Sequence, residues 1–147
     1  MSCSVESKSF SIMEQSKITP SGSTYTNTLS IPSEVSNPII QPTLPFMGTI
    51  PGGLKPDMAV LFQGAVPLKA KRFEINFHTG QSYDDGIAFH FNPCITAKYV
   101  CMNNLRNGKW ENDECVYDKP FPKGTSFCLL IVIKSEGYEV WFNTKLD

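Results

Sequence analysis

The sequence predicts an all-β protein built as an antiparallel β-sandwich. Three observations carry that reading. Short runs of alternating or continuous apolar residues recur at the interval expected of a sandwich. Turn-forming clusters separate them: Gly52-Gly53, Asp84-Asp85-Gly86, Asn107-Gly108 and Lys123-Gly124. Stretches with a helical period are nearly absent.

Taken in order, the chain opens with a Ser/Thr-rich stretch, residues 1–36, that has no sustained period. This composition predicts a flexible leader, with a short helix over Phe10 to Lys17 as an alternative. Pro38, Pro42 and Pro45 punctuate the approach to the domain and suit an extended strand at a sheet edge. The domain itself is expected over residues 37–147. Its strands are predicted at Ala59–Val66, Lys71–His78, Gly86–Asn92, Lys98–Asn103, Trp110–Tyr117, Ser126–Ile133 and Tyr138–Asn143. In the second of these, Phe73, Ile75 and Phe77 share one face, and Arg72, Glu74 and Asn76 the other. Cys128 to Ile133 is apolar throughout, as for a strand covered on both sides. His78 is expected to face solvent.

With 147 residues the chain is expected to form one domain, and 41% hydrophobic content is enough for a packed core. A net charge of −1 gives no bulk electrostatic case for nucleic acid or for an anionic membrane. No apolar run approaches the length of a membrane span, so membrane insertion is not expected. The opening MSCSVESKSF lacks the apolar segment of a signal peptide. Five cysteines are an odd number, without the spacing of a disulfide framework. They read as free thiols of a protein made in the cytosol. The absence of an Asn-x-Ser/Thr acceptor agrees with that.

The candidate site lies between Gly86 and Cys115. Ile87, Phe89 and Phe91 alternate with His90, Asn92 and Cys94. In an extended strand one set enters the core, and the other presents an imidazole, an amide and a thiol together. Asn103, near the end of the next strand, joins that set. Trp110 follows a polar loop containing Asn107-Gly108.

This layout resembles the galectin carbohydrate-recognition domain. His90-Phe91-Asn92-Pro93 matches the H-F-N-P signature of that family. Asn103 and Trp110 fall where its next conserved asparagine and its sugar-stacking tryptophan lie. Pro45-Phe46-Met47-Gly48-Thr49-Ile50 looks like the family's opening strand, and Tyr117-Asp118-Lys119-Pro120-Phe121 like a later turn. The likeness covers roughly residues 37 to 147 and implies a jelly-roll, concanavalin-like sandwich. On the usual domain size the resemblance implies that about 30 to 35 family residues are missing after Asp147, so that a fragment or a shortened isoform with open strand edges is expected. The leader and Pro-rich approach look most like the linker and second-domain opening of tandem-repeat galectins.

Galactose has an apolar patch of C–H groups on one face and an axial hydroxyl, so its site needs a flat aromatic surface plus directional polar groups. By resemblance, Trp110 supplies the surface, His90 and Asn92 bond the axial hydroxyl, and Asn103 another. Two family arginines are replaced, by Cys94 and Cys115, and the family glutamate is Asp113. A thiol cannot imitate the donor fork of a guanidinium. Each lost hydrogen bond to a charged group costs about 1.5–3 kcal/mol. Two independent losses weaken binding by on the order of a hundredfold or more. Lys98 and Arg106 are basic residues near the site, and neither matches a family position.

The resemblance thus implies a non-enzymatic lectin for β-galactosides of the lactose or N-acetyllactosamine type, with weakened affinity. Its partners would be galactoside-bearing glycoproteins or glycolipids. It would be cytoplasmic, with non-classical secretion to the extracellular space, and would crosslink only with more than one site, as in a homo-oligomer. The alternative is a galectin-fold protein that has lost galactoside binding and acts through protein contacts. Plain structural roles compete for each residue: a backbone tie for His90, a turn for Asn92-Pro93, a loop for Asn103, a core position for Trp110. No cofactor is expected. His90, Cys94 and Cys101 are thinkable metal ligands, but no C-x-x-C pair supports a metal site. Cys94 beside His90 lacks the orienting third group of a nucleophile–base pair.

Overall fold

A computed structural model describes residues 9–14, 35–36, 38–80, 85–117 and 121–145, with the backbone alone at 9–14 and 143–145. The strands are β1 (Ser9–Glu14), β2 (Phe46–Thr49), β3 (Ala59–Ala65), β4 (Phe73–His78), β5 (Ile87–Cys94), β6 (Tyr99–Arg106), β7 (Lys109–Trp110), β8 (Glu114–Tyr117), β9 (Ser126–Lys134) and β10 (Gly137–Lys145). They form two antiparallel sheets. One has seven strands in the order β2-β1-β4-β5-β6-β7, with β8 also paired to β6; the other runs β10-β9-β3.

Period-two alternation assigns the faces. Burial along β5 alternates without a break, with Ile87, Phe89, Phe91 and Pro93 inside. Ile75, Phe77, Phe89 and Phe91 from the larger sheet meet Phe62, Leu129, Ile131 and Ile133 from the smaller one. Rings interlock across that interface. Phe73 stacks on Phe127 at 5.6 Å, and Phe89 on Tyr138 at 4.5 Å. Each fully buried Phe or Ile contributes about 1.5–3 kcal/mol, so this layer holds the opposite face of the large sheet in place.

Four expectations need correction. Residues 9–14 lie inside the stretch read as a flexible leader or helix, yet they form a strand between β2 and β4. Phe10 and Ile12 alternate with Ser9, Ser11 and Met13, but the run is short and set in polar sequence. The rest of the leader up to residue 34 lies outside the described residues. The strand expected over Trp110–Tyr117 breaks at 111–113 into β7 and β8. In β9, Leu129, Ile131 and Ile133 are buried while Cys128, Leu130 and Val132 are half-buried, so only one face is fully covered. His78 is buried, because β4 is an interior strand flanked by β1 and β5.

Candidate functional site

The outer face of the seven-stranded sheet gathers the predicted residues by register. Asn76 on β4 sits opposite His90 on β5, and His90 opposite Asn103 on β6. The next row runs Asn92, Cys101, Cys115 across β5, β6 and β8. The row beyond holds Arg72, Cys94, Tyr99 and Tyr117.

Trp110 reaches this face through a two-residue turn. Asn107 and Gly108 both have positive φ, 53° and 73°, and Arg106 pairs with Lys109. Such a turn matches the twist of the strands it joins. The indole is 43% exposed, and its ring centroid lies 4.9 Å from that of His90, tilted by 54°. A core position for Trp110 is therefore excluded.

His90 is fixed from below. Its Nδ1 lies 2.5 Å from Asn76 Oδ1. An amide oxygen only accepts, so Nδ1 carries the proton and Nε2 of the neutral ring is left as an acceptor. Burial pushes the His90 pKa below its ordinary value; Glu74 and Asp113 oppose that and Arg72 reinforces it. The ring is accordingly neutral at pH 7. Asn76 is itself fully buried, held beneath the site by this bond.

Asn103 is engaged on three sides. Its Nδ2 donates to Asp113 Oδ1 at 2.8 Å and to the Glu111 carbonyl at 3.1 Å, while its Oδ1 accepts from Asn104 N–H at 2.8 Å. Both amide hydrogens are spent, and one lone pair of Oδ1 remains. Glu111 also pairs with Arg106 at 3.2 Å. Asp113 thus holds Asn103 without any arginine. Asn92 Oδ1 is buried with no hydrogen-bond partner among the described residues.

Two features were not legible in the sequence. The first is the Arg72–Glu74 ion pair, 2.8 Å, on the strand next to Cys94. It brings one guanidinium into the row where a family arginine is missing. Only the register of β4 against β5 reveals it. The second overturns the reading of the cysteines as free thiols: Cys101 and Cys115 form a disulfide. They are 14 residues apart, and antiparallel pairing of β6 with β8 sets them face to face. Cys94 and Cys128 are free. Among the described residues no group of three or more His, Cys, Asp or Glu side chains is arranged to hold a metal ion.

Fold and face together define a β-sandwich with a tryptophan-flanked row of neutral polar groups on one sheet. Residues 45–146 match the galactoside-binding lectin family, and the chain belongs to it. Human galectin-4 is 40% identical over 114 residues, which is 77% of this chain and 35% of galectin-4. Rat galectin-8 is 35% identical, with 77% of this chain and 37% of galectin-8 covered. This chain spans about a third of the length of those two relatives. Human galectin-7, 30% identical, is matched over 65% of this chain and 71% of its own length. Among solved structures, a point variant of human galectin-16 superposes with a TM-score of 0.55 at 28% identity, covering 61% of this chain and 66% of that one.

Proposed function

We propose that the chain is a lectin that binds β-galactosides of the lactose or N-acetyllactosamine type, with weaker affinity than a site carrying two guanidiniums would have. The observation that carries this reading is the half-exposed Trp110 indole set 4.9 Å from the His90 ring. The apolar face of galactose would lie on the indole. The axial hydroxyl would donate to His90 Nε2, and Asn92 Nδ2 would donate to the same oxygen. A second hydroxyl would donate to the free lone pair of Asn103 Oδ1 or to the carboxylate of Asp113. Its ligands would be galactoside-bearing glycoproteins and glycolipids, met outside the cell after non-classical export from the cytosol. Family membership supports that route, and a disulfide fits an oxidising exterior.

A second reading keeps the fold and gives up the sugar. Cysteines at both arginine positions favour it, one of them consumed in a disulfide. Retention on lactose-agarose separates the two. The lectin is retained and eluted by free lactose, and Trp110→Ala abolishes retention. Folded protein that washes through unretarded supports protein contacts instead.

A further inference from the structure

We propose that the Cys101–Cys115 disulfide is a reversible thiol-modification site that sets the geometry of the sugar-facing residues, so that oxidised protein binds glycan better than reduced protein. What is bound rests on the lectin reading above. What is controlled rests on the sheet itself.

The chain from Asn107 to Tyr117 carries Trp110 and Asp113. Its ties among the described residues lie at the surface: the bonds of Asn103 and Arg106 to Glu111 and Asp113, the Trp110–His90 contact and short ladders to β6. No described residue between Leu105 and Phe121 belongs to the buried core. Its two strands are short, two and four residues, and among the described residues β8 pairs with β6 alone. Residues 109–114, 116 and 117 are exposed, Tyr117 at 67%. A segment with so few buried contacts opens at low free-energy cost. Beyond the turn at Asn107-Gly108, the disulfide ties the far end of the segment covalently back to β6. It lies two residues from both Asn103 and Asp113, whose 2.8 Å hydrogen bond joins β6 to the bend just before β8. Cutting the tie therefore loosens the Asn103–Asp113 spacing and the approach of Trp110 to His90.

Both cysteines are half-buried, so small thiols can reach them. A reductant thiolate attacks one sulfur, breaks the S–S bond and forms a mixed disulfide, and the departing cysteine sulfur takes a proton. A second reductant thiolate displaces the remaining cysteine, which is also protonated. The protein gains two electrons and two protons, and two reductant thiols become one disulfide. Glutathione disulfide reverses the sequence.

The test is lactose titration of the full chain by tryptophan fluorescence, in dithiothreitol and after oxidation with glutathione disulfide. Far-ultraviolet circular dichroism confirms folding in each state. Reduction is expected to weaken binding severalfold, and reoxidation to restore it. C101S/C115S is expected to bind like the reduced protein and to ignore the redox state. Equal binding by both forms, or a double variant with the oxidised affinity, overturns the proposal. If oxidised protein ignores lactose altogether, the lectin reading falls and hydrogen exchange decides the rest. Amides 109–117 that exchange faster after reduction uphold the control; unchanged exchange refutes it.

Discussion

Protonating His90 would remove the one acceptor that this ring turns outward. Burial holds its folded pKa below the ordinary 6.5. Lactose affinity is therefore expected to be flat above about pH 6.5 and to fall once acid passes the lowered pKa. The same group contributes to stability in the same direction. The unfolded chain takes up this proton first, so the contribution present at neutral pH is lost as pH drops below 6.5. Calorimetric titrations from about pH 7.5 downward, with protonation of the His90 ring followed by NMR, check the binding half. Affinity that stays unchanged as the ring protonates would mean that Nε2 accepts nothing from the sugar. Restoring a guanidinium is the complementary test. Cys94→Arg is the clean variant, because a change at Cys115 would also break the disulfide. It is expected to raise affinity by about tenfold, the effect of one charge-assisted bond of about 1.5 kcal/mol, and an unchanged titration would show that the missing donor is not limiting. At this scale alternation alone exposed His90, Asn92 and Cys94 as one face. Asn76 and Arg72 stayed hidden, because their relation to the site depends on which residue of β4 lies opposite which of β5.

Strands and turns set where those side chains meet. Gly86 shows how tightly the start of β5 is fixed: its φ is +110°, and an added Cβ would lie 2.9 Å from Thr79 Oγ1 and 3.2 Å from the Leu105 carbonyl. Gly86→Ala is expected to destabilise the fold by about 1–3 kcal/mol in urea unfolding. A variant as stable as the parent would show that this turn relaxes freely. Most strand positions were readable because turn residues and period-two runs coincide, as in Ser126–Lys134 and Phe73–His78. The break at 111–113 was not, because Glu111, Asn112 and Asp113 are simply polar and the two hydrogen bonds that bend them around Asn103 are tertiary. The disulfide escaped for the same reason, since spacing in sequence does not give register.

For the whole molecule, the first strand matters most. Ser9–Glu14 joins two strands, β2 and β4, that do not otherwise pair. Removing residues 1–14 would leave the backbone groups of β2 and β4 unpaired along that seam, a template for association. The truncated chain is expected to melt at least about 4–8 °C lower and to self-associate on size-exclusion chromatography. An unchanged midpoint would show that residues 9–14 add nothing to the sheet. Composition and turn spacing made the sandwich legible as a whole, but a strand placed in a Ser-rich leader looked like linker.

The central claim is that an indole and neutral polar side chains hold galactose on this sheet with both family arginines replaced by cysteine. Titrating oxidised protein with lactose while following tryptophan fluorescence tests it most directly, with Trp110→Ala as control. The account predicts a saturable change that the variant lacks. Folded protein whose fluorescence ignores lactose at every concentration, and which lactose-agarose does not retain, would contradict it.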